Sequence, residues 1–165
     1  MRRPILFLLA LVAALAALAT PPATAAERYP VPYSFLPAAV AGGATSSAPG
    51  TNTWSCRPTT AHPRPVVLVH GLIGNRSTNW PTYGPLLANE GYCVFALTYG
   101  VPAGLPPLLG GLNDMRSSAR QLDAFVAKVL RRTGAKEVDI VGHSEGTLMP
   151  NWYVKYLGGA KHLKR

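Results

Sequence analysis

Val138-Asp139-Ile140-Val141-Gly142-His143-Ser144-Glu145-Gly146 is the stretch whose reading decides the fold of this chain. Val138 to Val141 is a short apolar run that reads as a strand, and Gly146 onward reads as a helix, so Ser144 falls on the turn between them. A G-x-S-x-G pattern by itself is weak, because a chain this rich in Gly and Ser can produce it by chance. The strand before it and the helix after it give it force. A sharp strand-to-helix turn pushes the serine Oγ above a sheet, and flanking glycines let the backbone close around it. The helix N-terminus then points unpaired N–H groups at any negative charge formed on attack. Ser144 is the candidate nucleophile, Gly142, His143 and Gly146 form the supporting turn, and the Glu145 backbone N–H is a candidate oxyanion donor. Pro150 is expected to kink the following helix, since it lacks the N–H a helix interior needs.

Working upstream, Val66-Val67-Leu68-Val69 is a β-branched apolar run between Pro65 and Gly71, the signature of a strand buried on both faces. Cys93 to Leu97 reads as a second such strand. Pro81 to Glu90 can form a short helix that stops at Gly91. Gly100 to Gly111 is a Gly- and Pro-rich loop, and Val101 to Leu112 carries five aliphatic residues with an exposed look. Asp114 can cap a long helix whose Met115, Ala119, Leu122, Val126 and Val129 share one face and which Gly134 ends. Alternating strands and helices predict an α/β fold, a parallel sheet with helices on both faces. No internal repeat interrupts the pattern.

His70-Gly71-Leu72 follows the first strand and forms a second constellation. Acyl transfer needs donors aimed at the oxyanion, each worth roughly 3–4 kcal/mol when removed. One would be the Glu145 N–H, and the other should come from this loop, with Leu72 first and Ile73 close behind. Gly71 lets the backbone approach a substrate, and His70 is expected to serve packing and hydrogen bonding.

The chain opens with Met1-Arg2-Arg3, an uncharged apolar run from Ile5 to Leu18, and Ala23-Thr24-Ala25, the pattern of a signal peptide over 1–25. The alternative, a membrane anchor, asks for about 20 apolar residues and this run is shorter. Export and no remaining membrane span are expected, with roughly 140 residues left for one modest domain. Residues 26–65, rich in Pro, Ala, Gly and Ser, read as an irregular lead segment. The formal charge of +9 lacks any nucleic-acid-binding motif beside it, so no nucleic-acid partner is expected. Cys56 and Cys93 suit an oxidising compartment, and pairing them would be worth on the order of 4 kcal/mol. Neither has a His/Cys neighbourhood that suggests metal.

Pro65-Val66-Val67-Leu68-Val69-His70-Gly71, Gly74-Asn75-Arg76, Asn79-Trp80, Gly91 to Gly100, Val138 to Ser144 and Leu157 to Ala160 together resemble secreted actinobacterial-type lipases and esterases. The resemblance covers roughly two thirds of the chain. It implies an α/β-hydrolase fold over 66–165, no metal or organic cofactor, and a lipid or small ester substrate, acylglycerols included. It assigns the nucleophile to Ser144 and the oxyanion donors to Leu72 and Glu145. The fourth elbow position is more often Gln in such relatives, so Glu145 departs from the pattern. A larger departure follows Ser144. In this fold the triad runs nucleophile, acid, histidine. Beyond Glu145 there is no acidic residue, and the one histidine, His162, reads as a solvated tail residue. His62 lies in the lead segment, His143 inside the elbow. The triad acid and histidine are therefore expected to be absent, leaving a C-terminally incomplete hydrolase domain with a possible missing C-terminal half.

Two other functions fit the same residues. A non-catalytic secreted module could keep the fold to bind apolar ligands, with the Val101–Leu112 loop as lid or groove wall. A different serine chemistry, acyl transfer or peptide hydrolysis, could use the same scaffold.

Overall fold

A computed structural model describes residues 28–34, 36, 40 and 46–164. The signal-peptide reading of residues 1–25 lies outside the described residues. Three parallel strands form one sheet: β1 (Val66–Val69), β2 (Val94–Leu97) and β3 (Asp139–Gly142), in the order β2-β1-β3. Val67 stands opposite both Phe95 and Ile140. The third strand starts one residue later than the sequence suggests, because Val138 pairs away from β1, with Leu163.

The crossovers are helical, as parallel strands require. Helix α1 (Tyr83–Asn89) joins β1 to β2, α2 (Met115–Thr133) joins β2 to β3, and α3 (Met149–Tyr156) follows β3. The Asp114 side chain accepts from the Arg116 and Ser117 N–H groups, and Gly134 closes α2 at φ 76°. Strand alternation sorts the core into two halves. Val67, Val69, Phe95 and Leu97 face Ala119, Leu122, Val126 and Val129 of α2 and Met149 and Tyr153 of α3. Val66, Leu68, Val94 and Ala96 face Trp80, Ala48 and the α1 residues Leu87 and Ala88. Met115, expected on the core face, is 37 % exposed; it sits in the first turn of α2, beside an entry loop whose Leu112 is exposed too.

Residues 51–56 of the lead segment are held down by side chains and by an isolated parallel bridge between Thr51 and Val94. Asn52 accepts from the Ala96 N–H and donates to the Ala96 carbonyl, imitating a strand along the outer edge of β2. Trp54 packs on Phe95 and Phe125. The Cys56–Cys93 disulfide ties the segment to the residue before β2.

Candidate functional site

The turn after β3 is tight. The His143 N–H still donates to Val69, continuing the strand ladder, and the next residue, Ser144, takes φ 52° in the left-handed region. A non-glycine residue there costs of order 1 kcal/mol or more and persists when its surroundings impose it. A methyl added to Gly142 would overlap the Gly146 carbonyl, and one at Gly146 would overlap the Val69 carbonyl. Both flanking positions are therefore closed to larger residues. Ser144–Thr147 then make one 3-10 turn, and Ser144 is exposed.

The expected kink at Pro150 does not occur. The chain leaves the 3-10 turn and starts a new helix at Met149, which puts Pro150 in the first turn, where no intrahelical N–H bond is needed. The apolar pattern of the sequence merges these two elements into one.

The loop after β1 lies against this turn. A Cβ on Gly71 would stand 2.8 Å from the Ser144 Cβ, so glycine permits the approach. Leu72 and Ile73 are both more than half exposed. Their backbones differ: the Ile73 N–H donates to the Gly110 carbonyl at 2.9 Å, whereas no described residue accepts from the Leu72 N–H. The Glu145 N–H likewise has no acceptor among the described residues. The Gly110 N–H returns a bond to Gly74, so the Val101–Leu112 loop is pinned at its end against the β1 loop. Within that loop Leu105, Leu108 and Leu112 are exposed while Val101 and Leu109 are half-buried.

Asn79 joins the two halves of the site. Its Oδ1 accepts from the Gly71 N–H at 3.3 Å and from His143 Nδ1 at 3.2 Å. Nothing local in the sequence marks this role, because one partner lies 64 residues away.

His70 is fully buried and stacks on the Tyr99 ring. Its Nε2 accepts from the Tyr99 N–H, so Nδ1 carries the proton and donates to the Gly71 carbonyl at 2.8 Å. Burial lowers its pKa from 6.5 to about 4, partly offset by the Gly71 bond. This imidazole is neutral at pH 7, with both nitrogens occupied. Burial also raises the Glu145 carboxyl above its usual range.

The other histidines stand apart from Ser144. His62 stacks on Tyr92. His162, expected to be solvated, is half-buried, and its carbonyl accepts from the Val138 N–H. That contact is at the entry to β3 and Ser144 is beyond its exit, with four strand residues at about 3.3 Å each between them. Among the described residues no side chain is hydrogen-bonded to the Ser144 Oγ.

A groove of about 610 Å³ runs beside the turn, lined by Tyr33, Trp80, Tyr83, Leu86, Val141 and His143 among others. It exists because α1 covers β1 and β2 on that side, leaving Val141 of β3 37 % exposed.

Comparison with known proteins gives the family. The profile of the lipase (class 2) family matches residues 63–164, most of the described chain. A triacylglycerol lipase of Pseudarthrobacter phenanthrenivorans is 34% identical over 87 residues, 51% of this chain and 26% of that protein. A triacylglycerol lipase of Burkholderia plantarii is also 34% identical over 87 residues, covering 23% of its length. The chain thus spans about a quarter of the curated relatives it matches. With a parallel sheet, crossover helices and this match, the chain belongs to the lipase (class 2) family, within the α/β-hydrolase superfamily.

Proposed function

We propose that this chain carries the nucleophile part of an exported carboxylic-ester hydrolase that acts on acylglycerol-type substrates through an acyl-enzyme on Ser144. The observation that carries the reading is the left-handed Ser144 on a turn closed on both sides by glycine, exposed beside the Gly71–Leu72 backbone. The Ser144 Oγ would attack the ester carbonyl, and the Leu72 and Glu145 N–H groups would hold the oxyanion. The occupied Ile73 N–H favours Leu72 as the donor from that loop. A histidine base and its orienting acid are needed to deprotonate the serine and protonate the leaving alcohol. None of the four histidines is placed to act as that base. His70 is buried and neutral, His143 faces Asn79, and His62 and His162 are engaged elsewhere. The base and acid would be supplied from outside the described residues, and a polypeptide that supplies them would also have the open side of β3 to pair with. Export through the 1–25 signal is supported by the Cys56–Cys93 disulfide, which persists in oxidising compartments.

The apolar groove beside β3 favours a second reading, a module that binds apolar ligands without turnover. Exposure to a fluorophosphonate probe, followed by intact mass, separates the two. The broken triad should still leave a residual acceleration, roughly 10³–10⁴ over water, so labelling is expected in the wild type and absent from Ser144→Ala. Equal labelling of both proteins would overturn the catalytic reading.

A further inference from the structure

The Glu145 side chain is the one group at the turn with no explained place. Its Oε2 is buried and has no hydrogen-bond partner among the described residues. It points into the junction between the 3-10 turn, the β1 loop and the pinned end of the Val101–Leu112 loop. The Oε2 is 3.0 Å, the Leu72 Cα 3.2 Å and the Gly71 carbonyl oxygen 3.3 Å from the point where a Gly111 Cβ would stand. The carboxyl oxygen and the Leu72 backbone thus both sit against Gly111.

We propose that Glu145 is a charge gate on the acyl-transfer site: its carboxyl admits a negative charge at the Leu72–Glu145 donors when protonated and repels it when ionised. The inference rests on the Ser144 reading above and deepens it.

Two charges of the same sign in one partly desolvated site oppose each other, the more so the closer they stand. Ionisation would leave the buried Glu145 Oε2 charged without a partner, since no hydrogen-bond or ion-pair partner faces it among the described residues. From the β1 side the titratable neighbour is His70, neutral and tied to Gly71 and Tyr99. From the loop side it is the Tyr99 hydroxyl, which donates to the His70 carbonyl and feels the Glu145 charge. The nearest ion pair at the start of α2, Arg116–Asp114, is closed on itself. On its own turn, His143 donates to Asn79. Nothing on these elements neutralises the carboxylate, and the raised Glu145 pKa has burial as its cause.

The test is the rate of fluorophosphonate labelling at Ser144 between about pH 5 and pH 9, where His70 stays neutral, for the wild type, Glu145→Gln and Glu145→Met. Serine labelling speeds up with pH in every variant, so the quantity read is the ratio of variant to wild type. That ratio should climb by about tenfold as Glu145 ionises, in both neutral variants. Carboxyl ¹³C shifts should follow the same midpoint and vanish from Glu145→Gln. A ratio that stays flat, with labelling still abolished by Ser144→Ala, overturns the gate and leaves the nucleophile standing. A ratio that falls with pH overturns it as well. Labelling that survives in Ser144→Ala overturns the proposed function, and the gate with it.

Discussion

His143 Nδ1 and Asn79 Oδ1 stand 3.2 Å apart, and because an amide oxygen only accepts, the imidazole donates its proton there. The same oxygen takes the Gly71 N–H, so one side chain fixes the spacing between the serine turn and the β1 loop. Precise spacing matters in such a site, where displacement by about 1 Å can cost a hundredfold in rate.

Asn79→Ala should therefore lower Ser144 labelling by about tenfold while costing about 1–2 kcal/mol of stability. Asn79→Asp keeps an acceptor oxygen at the same place and should recover most of the labelling. Parallel thermal melts and labelling time courses check both. Full labelling in Asn79→Ala would show that the two loops hold their spacing without the bridge.

The glycines of the turn should be unequal to those elsewhere. Gly146→Ala drives a methyl into the Val69 carbonyl, between rigid backbones, and should cost about 3 kcal/mol or more, enough to leave little soluble protein. Gly134→Ala meets open space and strains only the φ of 76°, so a loss of about 1 kcal/mol is expected. Soluble yield and Tm compare them. Equal losses would mean that the turn relaxes more readily than its packing indicates.

His70 gives the fold an acid limit. Its folded pKa of about 4 lies below its unfolded value of 6.5, so between these the unfolded state binds the extra proton. Its stabilising effect is complete above pH 6.5 and lost as pH falls towards 4, on the order of 3 kcal/mol in all. Glu145 works the other way: its folded pKa is raised, so its contribution is present at low pH and lost as pH rises through that value. Denaturant midpoints from about pH 4 to 8 should rise in the wild type and flatten in His70→Gln. A His70→Gln curve as steep as the wild type would rule out this source.

The Cys56–Cys93 disulfide joins residues 37 positions apart, and opening it should cost on the order of 4 kcal/mol. Reduction should free the lead segment before the sheet melts, because Asn52 and Trp54 lie just ahead of Cys56. Hydrogen exchange with and without reductant reads this directly. Unchanged protection at residues 51–56 would contradict it.

Much of this architecture is legible in the sequence. Runs such as Val66–Val69 declare themselves because a strand buried on both faces must be apolar throughout, and Pro65 and Gly71 bound it. The cysteine pair is legible from compartment logic, and Asp114 and Gly134 from capping chemistry. Asn79 is not legible as a bridge, since its partners depend on how distant loops meet. Pro150 misleads because a 3-10 turn and a helix in succession share one apolar pattern, and only the backbone separates them. Leu72 and Ile73 separate only in three dimensions, where Gly110 takes one of their N–H groups.

The two edges of the sheet lead to the last prediction. On the β2 side the outward groups of Val94 and Ala96 are met by the backbone and side chain of Asn52. On the β3 side the His162 carbonyl and the Lys164 N–H meet Val138 alone. Asp139 and His143 direct their N–H groups to β1, so by alternation Ile140 and Gly142 direct theirs outward, where no described residue accepts them. Val141 is exposed on the groove side of the same strand. An open edge with apolar flanks templates pairing with another chain. The chain by itself should therefore associate as concentration rises, even where its secondary structure is intact. Multi-angle scattering across a hundredfold range of concentration, with thioflavin T fluorescence alongside, follows this. Leu163→Asp should worsen association, since Leu163 pairs with Val138 and packs on the core. A polypeptide that continues the sheet, added in trans, should suppress it and raise Ser144 labelling together. A monodisperse chain at every concentration, with one cooperative thermal transition, would show that the edge is already protected.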